Sequence, residues 1–536
     1  MKRLLCISFL PLIIFLGCTQ HQPQDEKEFA KALLIGSQAH EGFNRCLDFV
    51  YGWLNHTDSI SGLIPENLTH GMDIWNAHNA AADNYSFMVL TSYILDRPLY
   101  EGRMREMLRA EKGLTARIKS LPDSYSFSRQ DFQFELTDTA RIIFGASEYI
   151  KDGLIPLMEY CGPSPWNDRL MEMITDLSGV IEVVDKNLFN NPTTADEVNG
   201  EMLQALSRIY WMTGEEKFMD WAVRIGDSYL LTDRNPLYSQ RFRLRDHGCE
   251  ILGGLSELYF LLHFIRPDKK TEYREPLVRL MDRILVIGRN EDGMFYNEIN
   301  PEMSSVIDST LVDNWGYLYN AYYTLYLLDG LDRYRKTIVE SMQLLSKKYR
   351  NYPWEGTSQD GYADAIESAI NLYNREPQKE VAEWIDSEIR VMWQKQQPDG
   401  IIEGWHGDGN FARTTLMYCL WKTQGVTLKP WTPGLEIGGF QGNDTLYLSL
   451  RSTTKWSGRI TFDFPRHQKY LHLPIDYPRI NQFPEWYTVN EGSIYRVQIN
   501  PGNRSMEYQG STLRNGLELK LGEKDSLFLK IIRVSG

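Results

Sequence analysis

The sequence predicts a mainly helical chain whose hairpins close into a ring, followed by a small β domain. Three observations predict it. Apolar residues recur at helical spacing from about Phe29 to Gly425. A set of polar clusters recurs at every second helix, and after Lys429 the texture changes to alternating apolar and polar residues.

The chain opens with Lys2 and Arg3, then an apolar stretch from Leu4 to Leu16 that ends at Gly17-Cys18. Charge, apolar run and small residue in that order form a secretory signal over residues 1–17, too short to span a bilayer as a helix. Phe15-Leu16-Gly17-Cys18 resembles the lipobox of bacterial lipoproteins, with Phe in place of the usual Leu. The resemblance implies lipidation of Cys18, export, and anchoring at the outer membrane through lipid alone. Residues 18–28 are polar and read as a tether.

At 536 residues the chain exceeds one compact core, so a helical domain over 29–428 and a β-sandwich over 429–536 are expected. The net charge of -14 argues against nucleic acid as a partner. Cys46, Cys161, Cys249 and Cys419 are far apart and have no metal-ligand spacing, so buried thiols are expected and no metal or cofactor.

Helix breakers at Arg97-Pro98, Gly162-Pro163, Arg266-Pro267 and Glu376-Pro377 divide the helical region into segments of ordinary length. Polar clusters stand at or before alternate helices. They are His78-Asn79 with Asp83-Asn84, Asp138-Thr139, Glu197–Glu201, Asp246–Glu250, Asp313–Tyr317, Asp360–Asp364 and His406–Asp408. Steps of roughly 45 to 65 residues fit one outer and one inner helix per unit. Plainer amphipathic stretches at 168–185, 215–229 and 273–287 read as the outer layer. Six or seven such hairpins could form an open solenoid or a ring. Closure is favoured because the polar clusters differ from one another, as they would around a single site. The C-terminal strands are expected at 445–452, 458–464, 494–499 and 526–534, with turns between them.

Asp, Asn and Ser at helix N-termini are commonly caps. Capping does not explain Glu197 with Glu201, or Asp246 with Glu250, each pair four apart on one helix face where like charges repel. Glycoside hydrolysis requires such pairs: one carboxyl kept protonated, the other ionised. The expected catalytic set is therefore Glu201, Glu250, Glu197, Asp246, His247 and Asp313, with Glu201 or Glu250 as general acid. Asn199, Asn314, Trp315, Tyr317, Asp83, Asn84, Tyr362 and His406 are expected to bind sugar by hydrogen bonds and stacking. Arg141 and Arg413, with Arg243 and Arg245 nearby, would hold a uronate; pairing with Asp138, Asp246 or Asp408 is the competing role.

With these clusters the layout resembles the (α/α)6-type toroids of glycoside hydrolases and polysaccharide lyases, with a small C-terminal β-sandwich. The chain is similar to exported Bacteroidetes-type polysaccharide-utilisation proteins and to glycoside hydrolase family 154, the β-glucuronidases. That resemblance implies a hydrolase of uronic-acid-containing poly- or oligosaccharides, and it carries over no catalytic residue. The alternatives are a lyase using His247, His406, Tyr317 or Tyr362 as base, a sugar epimerase, and a non-catalytic glycan-binding lipoprotein. Nucleotide-binding and serine-hydrolase patterns are absent where they would have to sit.

Overall fold

A computed structural model describes residues 23–181, 183–185, 187–188 and 192–535. The expected signal peptide, Cys18 and the start of the tether lie outside the described residues. The end of the expected tether is helical instead: a helix spans Pro23–Leu54. Asp25 fastens its first turn to the C-terminal sheet, accepting hydrogen bonds from Lys530 Nζ at 2.9 Å and Tyr447 Oη at 3.0 Å.

Among the described residues, seven helical hairpins close the ring, the larger of the two expected numbers. The inner helices are Ala77–Tyr85 continuing as Ser86–Leu95, then Thr139–Glu148 continuing through Tyr149–Leu154 to Ile155–Cys161. They continue with Pro192–Thr213, Cys249–Ile265, Trp315–Asp329, Gln359–Arg375 and Asn410–Lys422. Each packs against the next, and Asn410–Lys422 packs back on Ser86–Leu95, which completes the circle. The outer layer consists of Pro23–Leu54, Tyr100–Met104 with Arg105–Leu114, Pro165–Ser178, Glu216–Leu230, Pro267–Ile287, Asp332–Met342 and Lys379–Trp393.

Sequence explains the division into layers. Glu216–Leu230 buries Phe218, Trp221, Ala222, Ile225 and Tyr229, one stripe at helical spacing, and leaves its charges outside. Cys249–Ile265 is mostly apolar, apart from Glu250, Ser256, Glu257 and His263, and buried nearly along its whole length. The stretch Leu244–Ile265 is, among the described residues, long and apolar enough to cross a membrane, but 83% of its apolar window is buried in the ring wall. Inner helices approach closely where they lack side chains. A Cβ at Gly200 would run into the backbone of Glu250, and one at Gly254 into Gly200.

The C-terminal region holds two antiparallel sheets. The larger runs Leu435–Gly442, Thr445–Ser452, Ser526–Ser535, Ile494–Asn500, Arg504–Gln509 in spatial order. The smaller runs Leu517–Leu521, Trp456–Thr461, Thr427–Lys429. Helix Pro23–Leu54 packs against the larger sheet, where Gly36 meets Gly438. Between Trp456–Thr461 and Ile494–Asn500 the chain leaves the sheets and enters the ring at the C-terminal ends of the inner helices. Tyr477 Oη there donates to Glu257 at 2.9 Å, and the Arg479 guanidinium lies 3.2 Å from Glu159. Arg208 sits between those glutamates, bidentate on Glu257 at 2.9 and 2.7 Å and 3.2 Å from Glu159. Two buried cations thus meet two buried anions with their hydrogen bonds satisfied, the condition under which such charges are tolerated in a core.

Candidate active site

Above this balanced layer the ring holds an open cavity of about 500 Å³. Its walls carry acids of the first four inner helices and the sixth: Asp83, then Glu148 and Asp152, Glu197 and Glu201, Asp246 and Glu250, and Asp360 and Asp364. Ile480 and Asn481 of the C-terminal region form part of its lining, so that region contributes directly to the site. Asn481 donates to Asp152 and, at 3.0 Å, accepts from Arg413.

Local helix geometry aims these groups. Three of the acids stand in or beside widened, π-type turns: Asp83 within Ala77–Tyr85, Asp152 within Tyr149–Leu154, and Glu148 just before the latter. Such turns hold more residues than an α-turn, so side chains four apart come nearly into line. Asp246 sits at φ 56°, a left-handed conformation that turns the chain into Cys249–Ile265. Arg243 holds it there at 2.7 Å.

On one wall Lys151 Nζ bridges Asp152 at 2.7 Å and Glu250 at 2.8 Å, and Gln204 donates to the other oxygen of Glu250. Burial pushes Glu250 up to about 7, against the pull of Lys151. Glu201 is 1% exposed and its Oε2 has no hydrogen-bond partner. Burial, then Asp152 and Glu197, push its carboxyl well above the usual range. Glu148 is raised in the same way by burial and by Glu201. His247 Nδ1 lies 2.6 Å from Glu197, out of line for a hydrogen bond, and its Nε2 is 3.0 Å from Arg243.

The opposite wall is more fully paired. Arg413 lies 2.6 Å from Asp364 and 2.8 Å from Glu367, while Tyr317 Oη donates to the same two acids. Asn410 donates to Asp360 at 2.9 Å. At the rim, the 403–409 loop brings His406 to 3.5 Å from Asp83 and leaves Trp405 91% exposed. Burial raises Asp83 to about 7, with His406 opposing.

Of the expected site residues, Asp83, Glu197, Glu201, Asp246, His247, Glu250, Asn314, Tyr317, His406 and Arg413 line this one cavity. Six do not. Asn199 bonds Val184, Ala195 O and Tyr229 behind its helix. Arg141 is bidentate on Asp123 at 2.8 and 3.0 Å, outside the cavity. Asp313 is buried beside Arg245 at 3.4 Å, Trp315 is wholly buried in the core, and Asn84 packs beneath Gly407. Tyr362 points outward and donates to Asn351 at 3.1 Å. Each occupies a cluster that marks the start of an inner helix, where neighbouring residues face different sides of the helix.

Sequence reasoning missed Glu148, Lys151, Asp152 and Asn481. A signal for Glu148 and Asp152 was present. Glu148 and Asp152 have the same four-residue spacing as Glu197 with Glu201 and Asp246 with Glu250, and precede Glu197 and Glu201 by the 49 residues that also separate Arg208 from Glu159 and from Glu257. Nothing in the sequence announces Asn481, because its role depends on the C-terminal segment entering the ring.

No protein-family model matches the sequence, and no curated protein matches it. Solved structures of similar shape include an inactive variant of a family 76 α-1,6-mannanase from Salegentibacter sp. in complex with α-1,6-mannotetrose. It is 9% identical over 70% of this chain and 97% of that one, with a TM-score of 0.41. A cellobiose 2-epimerase from Bacillus thermoamylovorans is 11% identical over 53% of this chain and 86% of that one, with a TM-score of 0.37. A possible family 105 member from Salmonella enterica is 12% identical over 52% and 81%, with a TM-score of 0.38.

Proposed function

We propose that the ring cavity hydrolyses a glycosidic bond by carboxylate acid–base chemistry, with Glu250 as general acid and Glu197 as its partner. The observation that supports this best is the convergence of acids from neighbouring inner helices on one cavity, with Glu250 raised to about 7. A carboxyl with that value holds a proton near neutral pH and can give it to the leaving-group oxygen as the glycosidic bond breaks. Lys151 and Gln204 hold Glu250 in one orientation. Glu197, beside His247, either attacks the anomeric carbon or takes the proton of the attacking water. The acids around it stabilise the positive charge that develops on the sugar ring. Asn314, Asp360 and Asn410 offer hydrogen bonds to sugar hydroxyls, and the exposed Trp405 offers a stacking face at the rim.

A β-glucuronidase-like specificity would need a guanidinium free to hold the uronate. Both arginines lining the cavity, Arg243 and Arg413, are already paired with acids, and the acids outnumber the cations. The site therefore favours neutral sugars over uronates. Tyr317 is disfavoured as a lyase base, since burial holds its hydroxyl well above its usual range. The test is a panel of neutral and uronic-acid glycans, read for reducing ends and for unsaturated products, with Glu250→Gln and Glu197→Gln alongside. Near-normal turnover in both variants would sink this assignment. Saturable binding without any turnover would make the protein a glycan-binding one. Export and anchoring belong to the same reading: wild type should partition with detergent, and Cys18→Ser should not.

A further inference from the structure

We propose that Glu148, Asp152 and Glu201 hold a hard divalent cation in the cavity wall, with Ca²⁺ the best match. The inference goes beyond the hydrolase reading and does not require it, and it revises the expectation of no metal. One oxygen from each of the three side chains lies within 4.8 Å of the other two. Atoms that close can share one ion at Ca²⁺ bond lengths of about 2.3–2.6 Å, and three carboxylates suit Ca²⁺ better than Mg²⁺, which is usually held by one or two and keeps its waters. An all-carboxylate donor set selects hard cations over the softer metals that prefer sulfur or imidazole.

A cluster of acids alone would be weak ground. The second observation is Glu201 Oε2, which is buried and has no hydrogen-bond partner. A buried carboxylate oxygen is costly to leave unsatisfied, and a cation at this point would satisfy it. The neighbouring cation does not serve. Lys151 Nζ is engaged with Asp152 Oδ1 and Glu250 Oε1, and Asn481 also takes Oδ1 of Asp152. Neither of these contacts takes Oδ2 of Asp152. The ligands also come from rigid elements, with Asp152 in a widened turn, Glu148 at the end of the α-helix just before it and Glu201 on the adjoining inner helix, so binding demands little rearrangement. Three protein ligands leave several positions of a six- to eight-coordinate ion open to water or to the hydroxyls of a bound sugar.

The test uses the full chain, stripped with chelator and dialysed, without any glycan, so its failure and that of the hydrolase reading are separable. Bound metal is counted after equilibration with CaCl₂, MgCl₂ or MnCl₂, and Tm is followed by thermal unfolding. The expected result is one Ca²⁺ per chain and a Tm rise of at least about 3 °C, with Mg²⁺ weaker. Glu201→Gln, of nearly unchanged shape, should lower Ca²⁺ affinity at least about tenfold and leave Tm in chelator unchanged or higher. Glu148→Gln should do the same, and it decides the matter if Glu201→Gln fails to fold. Asp360→Asn, across the cavity, should keep one Ca²⁺ per chain. Absence of Ca²⁺ binding and of any Tm shift in wild type overturns the proposal, as does binding that survives both Gln variants.

Discussion

Three neighbouring inner helices carry two layers of ionisable residues in one register. Acids at 148 and 152, 197 and 201, and 246 and 250 form the upper layer. Glu159, Arg208 and Glu257, two helical turns further on, form the lower one. The lower layer alternates in sign, and Arg479 brings it to two cations and two anions, each within 3.2 Å of a partner. The upper layer is almost entirely acidic, with Lys151 as the cation that bridges two of its members. Glu201 and Glu250 are as buried as the lower layer while the other four acids are half-buried, so depth alone does not distinguish structural from functional charge here. Balance does. Where the chain supplies its own counter-ions, the charges hold the fold together. Where it withholds them, the surplus is available to a proton, a cation or a substrate.

The sharpest way to break this contrast is Arg208→Ala. It would strand Glu257 and Glu159 in the core and should destabilise the fold by about 3–5 kcal/mol in denaturant unfolding. A small effect would mean that the lower layer is not structural. Glu250→Gln, one layer up in the neighbouring helix, should leave unfolding nearly unchanged while lowering turnover about 100-fold or more.

Acidity separates the layers further. Burial raises Asp83 to about 7 and Asp408 to about 6 from ordinary values near 4. Asp83 faces His406, Asp152, Asp408 and Arg413. Burial works against the charged form of His406, but Asp83 and Asp408 outweigh it and raise its value. For each of these groups the folded chain holds its proton more tightly than the unfolded one. Stability is therefore full below about pH 4 for the acids and is lost as pH rises through about 7. Tm should be lower at pH 8 than at pH 5, and Asp83→Asn should flatten that slope. A Tm that climbs over this window would contradict the upper layer's surplus of acid. The smallest expected effect is at the rim, where Trp405→Ala should raise KM by roughly 2- to 10-fold with kcat kept, the worth of one stacking contact.

This contrast also sets what could be read from sequence. Helical periodicity and breakers such as Arg266-Pro267 marked the hairpins, and the expected outer stretches at 215–229 and 273–287 match Glu216–Leu230 and Pro267–Ile287 closely. Polar clusters marked where inner helices begin, and ten of the expected site residues share the cavity. Clusters cannot say which side of a helix faces inward, and so Asn199 and Tyr362 were drawn in although they point away. Glu148 and Asp152 escaped because they lie a full helix beyond Asp138, whose side chain merely caps Thr139–Glu148. The lower layer was invisible for another reason: Arg479 meets Glu159 across 320 residues, a pairing that local pattern does not encode.

The insertion of the C-terminal segment into the ring also bears on the order of synthesis. Asn481 and Arg479, which joins Arg208 in neutralising Glu159, are made only after all seven hairpins. A growing chain can coil every wall of its cavity and still lack part of the lining, with Glu159 and Glu257 short of Arg479 and Tyr477. Competence thus arrives late and all at once, so a chain cut short near Lys429 should have no working site, however complete its helices.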